Sequence, residues 1–162
     1  MAMTDYAEQP DMMRYIEQWG MLFEQLGATR VMGKILGWLL VCEPPHQTAA
    51  EIAHAIGASM SSVSTATRAL AQSAFVERIG MPGERSAHFQ VRPGMWSQLI
   101  RTRMARLGAM RELAEEGMRL LPSANKEQTR RLREVRSYCD FIDKELPALL
   151  ARWEGQWEEE CR

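Results

Sequence analysis

The sequence has no cysteine pair spaced to clasp a metal or close a small loop: Cys42, Cys139 and Cys161 lie far apart and are odd in number. That excludes a zinc finger and a disulfide framework, and fits reduced thiols in a cytoplasmic protein. Cys42 and Cys139 fall in apolar helical patterns and read as small core residues more readily than as redox sensors. Long apolar runs are missing too. The longest, residues 35–42, is far short of the roughly 18 residues a membrane span needs. Asp5, Glu8 and Asp11 stand where a signal peptide would be basic and then apolar. Excess charge is absent: 20 Lys and Arg against 21 Asp and Glu leave a net charge of −1, so the chain as a whole gives no sign of a nucleic-acid partner. There is no metal-ligand cluster, no phosphate-cradling glycine loop and no Cys–His pair with supporting context. An enzyme, a cofactor and a metal site are therefore not expected.

Hydrophobic residues make up 46% of the chain, enough to bury a core. The charge, though balanced, is unevenly placed. Between residues 44 and 103 there are six Arg against three Glu, and all three His lie in the same span. Residues 154–160 carry four Glu and no basic residue. A locally basic segment in a near-neutral chain is the weaker form of the footprint expected for DNA contact.

Met12, Ile16, Trp19, Phe23 and Leu26 recur at helical spacing, with Asp11 as a candidate cap and Gly27 as the stop. Thr29 is placed to cap a second helix that runs to about Cys42, before Pro44 and Pro45. Gly33 and Gly37 lie one turn apart in it, which predicts close helix packing on that face. Thr48-Ala49-Ala50-Glu51 is a capping box, and it opens a short helix that Gly57 ends. Ser59 then caps a helix from Met60 to about Ser73. Two short helices joined by a glycine turn are the mark of a helix-turn-helix. A strand from Phe75 to Ile79, a loop containing Pro82 and Gly83, and an alternating strand with Ala87, Phe89 and Val91 inward predict a hairpin wing. On that pattern His46, His54 and His88 belong to the surface. Two further helices follow, at 95–121 and from about 125. The second carries a seam of Leu132, Val135, Cys139, Ile142, Leu146, Leu149 and Trp153 at alternating spacings of three and four. Pro147 predicts a kink or a restart within it.

The Ser59-capped helix has an inward stripe of Val63, Ala66 and Leu70. Ser61, Ser62, Ser64, Thr65, Arg68 and Gln72 lie on or near its other side, with no acidic residue among them. Short hydroxyl side chains let a helix approach the major groove closely, and an arginine can grip a phosphate or fork onto guanine. Gln47 and Thr48 open the preceding helix, where they are placed to hold a phosphate. Arg85 lies near the wing tip beside Gly83, suited to a minor groove, with Arg78 on the adjoining strand. A serine cluster alone is as often a solvated surface. The order of capping box, glycine turn, serine-rich helix and basic hairpin is what favours DNA. The rival reading is a winged-helix protein-interaction module that does not bind DNA.

These residues resemble the MarR-like winged-helix regulators, and within them the GbsR-type branch. The strings that carry the likeness are Gly33-Lys34-Ile35-Leu36-Gly37-Trp38-Leu39-Leu40, Thr48-Ala49-Ala50-Glu51-Ile52-Ala53, residues 59–70, Phe75-Val76-Glu77-Arg78 and Pro82-Gly83-Glu84-Arg85. Ser61 departs from the pattern, standing where such proteins often have Gly. The resemblance covers roughly residues 25–95. It implies a DNA-binding regulator that works as a homodimer on a double-stranded operator. The expected fold is mainly α with a small β-hairpin wing: an N-terminal helix at 1–28 in a dimer layer, a winged helix-turn-helix at 29–93, and C-terminal dimerisation helices at 94–162. Ile16 and Phe23, with the seam from Leu132 to Trp153, are the candidate dimer contacts. Trp19, Trp38, Met95, Trp96 and Met104 are candidates for a pocket that takes a small apolar or aromatic effector, although ordinary core is the commoner use of such residues. A repressor modulated by such an effector is the expected function.

Overall fold

The computed structural model describes residues 9–121 and 126–161, and the chain divides after Met95 into two units. The first contains α1 (Pro10–Gln25), α2 (Arg30–Leu39), β1 (His46–Thr48), α3 (Ala49–Ile56), α4 (Met60–Gln72), β2 (Val76–Gly80) and β3 (Ala87–Val91). The second contains α5 (Met95–Arg119), apart from its first residue Met95, and α6 (Lys126–Glu160). The fold is mainly helical with one small antiparallel sheet.

Proline starts α1, where its fixed φ suits the first turn. Asp11, expected as the cap, instead sits inside that turn, near the positive end of the helix dipole. Thr29 caps α2 by accepting from the Met32 amide at 3.3 Å. The two helices approach very closely. A Cβ at Gly33 would lie 2.2 Å from the Trp19 carbonyl oxygen, and one at Gly37 would lie 2.8 Å from the Trp19 ring. Glu17 fastens the pair from outside, with Lys34 at 2.7 Å and Arg30 at 2.8 Å. Its carboxyl is held below the usual range, chiefly by the Lys34 ammonium.

Helices α1, α3 and α4 close in the same way. A residue two or three positions past each end bonds back five positions: Ala28 to Phe23, Ala58 to Ala53 and Phe75 to Leu70. This closure needs a left-handed residue just past the helix. Gly27 and Gly57 supply it, but after α4 the position is Ala74, at φ +61°. Strand β2 therefore starts at Val76, one residue later than the sequence pattern indicates.

The sheet has the order β1-β3-β2, antiparallel throughout. The three-residue β1 was not expected. It pairs Gln47 with Phe89 and Thr48 with His88, tying the start of α3 to the wing. Below it lies a core that includes Ile35, Leu36, Ile52, Ile56, Val63, Leu70 and Val76. Ile16 and Phe23 belong to that core, with 0% and 5% exposure. They are not free to meet a partner, which corrects their assignment to a dimer interface. An apolar stripe on a helix has the same spacing whether it faces its own core or a second chain.

In the second unit α5 and α6 form an antiparallel hairpin. Arg101 reaches Glu154, Arg111 reaches Asp143, and Leu132 lies against Gly117. The Ser97 hydroxyl and then Arg101 hold the Glu154 carboxyl below its ordinary value. The seam of α6 is used largely within the chain. Cys139 is wholly buried, and Leu132, Val135, Ile142 and Leu146 are half-buried. Cys139 is thus corrected from dimer contact to interior residue. Leu149 and Trp153 remain exposed at 50% and 38%. Helix α6 runs through Pro147 without the restart that proline suggested. Among the described residues no helix is long and apolar enough to cross a membrane.

Candidate nucleic-acid interface

The capping box forms as its sequence dictates. Thr48 Oγ1 accepts from the Glu51 amide at 3.2 Å, while Glu51 Oε2 accepts from the Thr48 amide and hydroxyl at 2.7 Å each. This fixes the N-terminus of α3 and occupies the Glu51 carboxylate. Three residues past Ile56, Ser59 starts α4. Its Oγ accepts from the Ser62 amide and lies 3.1 Å from Ser61 Oγ and 2.8 Å from Ser62 Oγ. The three hydroxyls form one hydrogen-bonded group at the tip of the helix.

Val63, Ala66 and Leu70 face the core, as their spacing predicts, joined by Thr67, whose hydroxyl donates to the Val63 carbonyl at 2.8 Å. Ser59, Ser61, Ser62, Ser64, Thr65, Arg68 and Gln72 are all exposed. A cleft of about 510 Å³ runs beside this face. It brings together Thr48 and Ala50 from the start of α3, Ser64 and Arg68 from α4, and Arg78 and Ser86 from the wing. Helix start, reading helix and wing therefore share one surface. Ser86 and Ala50 were missed from sequence, since neither carries a charge or a motif.

The charges on this surface are arranged one-sidedly. Glu51 is held by the capping box, Glu77 accepts from the Gln90 amide at 2.6 Å, and Glu84 lies 3.3 Å from His88. Arg68, Arg78 and Arg85 are exposed and make no ion pair among the described residues. All three acids of the segment are engaged while three of its cations stand open to solvent. An anionic polymer would meet this face favourably.

Two assignments change. Gln47, expected at a phosphate, is 1% exposed, and its amide donates to the Pro44 carbonyl at 3.1 Å. Its strand position turns it inward opposite Phe89, so its side chain does not reach a DNA surface. His88, expected on the outside, is also buried, against Glu84 and the ring of His46 at 5.4 Å. The Glu-x-x-x-His spacing across the wing is the sequence signal that marked this pair.

The five residues expected to form an effector pocket are divided between the two units, with Trp19, Trp38 and Met95 in the first and Trp96 and Met104 in the second. Trp38 and Met95 are each 3% exposed in the core of the first unit, and Trp19 packs against that core. Aromatic size and helical spacing do not separate core from pocket lining. In the second unit Trp96 lines an apolar cavity of about 510 Å³ with Ile100, Leu146, Leu149, Leu150 and Trp153. Met104 borders a different hollow, with Arg101, Ala105 and Gly108. Burial pushes the Cys42 thiol up to about 11, which leaves it a poor nucleophile. Among the described residues no group of three His, Cys, Asp or Glu is placed to hold a metal ion.

Comparison with known proteins agrees with this geometry. A sequence model of the MmpR5-like MarR family transcriptional regulators matches residues 94–156. The HTH-type transcriptional regulator MmpR5 of Mycobacterium tuberculosis (strain ATCC 25618 / H37Rv) is 37% identical over 145 residues, covering 90% of this chain and 88% of that protein. A crystal structure of a transcriptional regulator is also 37% identical, covers 90% of this chain and 99% of that one, and superposes with a TM-score of 0.79.

Proposed function

Since this chain belongs to the MarR family of transcriptional regulators, in its MmpR5-like group, we propose that it binds a double-stranded operator as a homodimer, with α4 in the major groove and Arg85 in the minor groove. It is a DNA-binding transcriptional regulator, as are the relatives named above. The strings at 33–40 and 82–85 support a place near the GbsR-type branch as well.

One observation carries the site. The outward face of α4, with Ser61, Ser64, Thr65 and Arg68, adjoins a cleft that also holds Arg78, and among the described residues Glu51, Glu77 and Glu84 each have a partner. Thr48 supports a phosphate at the start of α3, where the amide dipoles point outward. Residues 29–93 serve as the reading domain, and 94–162 as the dimer layer. For the dimer, the exposed seam residues Leu149 and Trp153 are the better contacts, now that Ile16, Phe23 and Cys139 are accounted for inside the chain. A two-fold dimer would set its reading helices about 34–36 Å apart, one turn of DNA. The proposed output is repression in the cytoplasm, relieved by a small apolar or aromatic effector.

Fluorescence anisotropy with a labelled mixed-sequence duplex tests the DNA face. Binding is expected to weaken steeply with salt, and Arg68→Ala to reduce the slope of log K against log salt by about 0.9, the value for one phosphate contact. Joint charge reversal, Arg68→Glu with Arg85→Glu, should abolish binding. Unchanged affinity in that double variant would remove α4 and the wing from the interface.

A further inference from the structure

We propose that Met60 reads a thymine methyl group in the major groove and so sets part of this chain's sequence preference, an inference that rests on α4 lying in that groove. Met60 opens α4, directly after the capping Ser59. It is 52% exposed and takes no part in the core of the first unit. Among the described residues from 42 to 95 it is the one large apolar side chain left exposed. Val63 and Leu70, on the same helix, are wholly buried.

A single exposed apolar side chain is ordinary on a protein surface and needs no partner. What distinguishes Met60 is its position. Residues 60, 64 and 68 lie at four-residue spacing, so they form one stripe along α4. Met60, Ser64 and Arg68 all border the cleft that also holds Thr48 and Ala50 from α3 and Arg78 from the wing. Ser64 and Arg68 are exposed, as Met60 is. From the helix N-terminus onward, the stripe therefore offers a thioether, a hydroxyl and a guanidinium in succession. Around Met60 the hydroxyls of Ser59, Ser61 and Ser62 are bonded to one another, which leaves the methionine as the apolar member of an otherwise polar first turn. The N-terminal residues of a reading helix are those that come up against base edges.

The occupant follows from the chemistry of the groove. Bases present hydrogen-bond donors and acceptors there, and thymine alone adds an apolar group, its C5 methyl. A methyl pressed against a thioether removes apolar surface from water on both partners. The unbranched methionine side chain can adapt its shape to the base edge. Adenine, guanine and cytosine give it only polar edges, whose hydration it would displace with no hydrogen bond in exchange. Arg68 and Arg78 attract phosphates equally in every sequence, whereas Met60 makes one sequence differ from another. Met60 is thus a specificity-determining residue with a small share in overall affinity.

The test is selection by wild type from a pool of duplexes of about 30 base pairs, three helical turns, with a randomised centre. Wild type should enrich duplexes with thymine at a fixed position. Anisotropy on the most enriched duplex then compares thymine with uracil there, since uracil pairs identically and lacks only the methyl. The exchange should weaken wild-type binding by about fourfold, the size of one buried methyl group. The same exchange in the flanks, outside the selected positions, should change nothing. Met60→Ala, and Met60→Gln with its equal length and polar end, should bind the thymine and uracil duplexes alike. Both should melt as wild type does, because Met60 is exposed and outside the core. Either variant keeping the wild-type preference for thymine overturns the proposal. So does a wild-type protein that enriches duplexes yet distinguishes thymine from uracil at none of the selected positions. Loss of all binding in both variants also overturns it, because Met60 would then serve affinity and not preference. Failure of wild type to bind any duplex refutes the DNA face itself, so the two readings fail separately.

Discussion

Replacing Gly33 by alanine should destabilise the first unit strongly, although alanine is the better helix former. The added methyl would meet the Trp19 carbonyl oxygen at 2.2 Å, the Trp19 carbonyl carbon at 2.7 Å and the Gly20 Cα at 2.8 Å. All three are backbone atoms, so no side chain can swing aside. Restoring ordinary contact means parting α1 from α2 by roughly 1 Å where Ile16, Ile35 and Leu36 are fully buried. Overpacking of this kind costs about 1–3 kcal/mol or more, and the helix preference for alanine returns about 1. With backbone on both sides of the clash the upper part of the range applies, leaving a net loss of about 2 kcal/mol. At roughly 2–4 °C per kcal/mol for a chain of this size, the melting temperature should fall by about 4–8 °C. Gly108→Ala supplies the internal control. It makes the same chemical change in α5 with nothing within 4 Å of the new Cβ, so it should gain up to about 1 kcal/mol. Thermal melts followed by circular dichroism compare the two. A Gly33→Ala protein that melts at or above wild type would show that the helices are not in backbone contact there. Because α2 also packs on α4, DNA affinity should fall with stability in this variant.

Other substitutions probe different parts of the structure. Ala74→Gly should raise stability by about 1 kcal/mol in urea titration, since φ +61° burdens a residue with a Cβ. Thr48→Ala removes half of the capping box and should cost about 1 kcal/mol by the same measure, with weaker duplex binding if the start of α3 holds a phosphate. The Glu17 carboxyl is depressed by Lys34 and Arg30, so its contribution is full above the ordinary value of 4.5 and is lost as pH falls below it. Glu17→Gln should therefore be less stable than wild type at pH 7, by about 1 kcal/mol for a partly exposed pair, and the difference should shrink in acid. Brief treatment with iodoacetamide at pH 8, read by mass spectrometry, should label exposed Cys161 and spare Cys42 and Cys139, both buried. Rapid labelling of Cys42 would contradict its burial and its raised thiol value.

The residues by themselves determined whatever is settled within one or two turns of chain. Thr29, Thr48 and Ser59 cap the helices that follow because a hydroxyl three positions ahead of a free amide reaches it without help from elsewhere. Gly27 and Gly57 end helices for an equally local reason. The stripe of Val63, Ala66 and Leu70 fixed which side of α4 is left for DNA, since a helix has one period and one inward face. The tertiary structure decided what depends on partners distant in sequence. Strand β1 exists only because β3, about 40 residues on, offers it a ladder, and that pairing buries Gln47. Likewise Ile16, Phe23 and Cys139 carry an apolar pattern that does not state whose surface it will cover, and packing within the chain answered that. His88 was placed outside by strand alternation, but the wing loop folded Glu84 over it. Hydrogen bonds between near neighbours are encoded where they form, whereas burial is a property of everything that arrives from elsewhere.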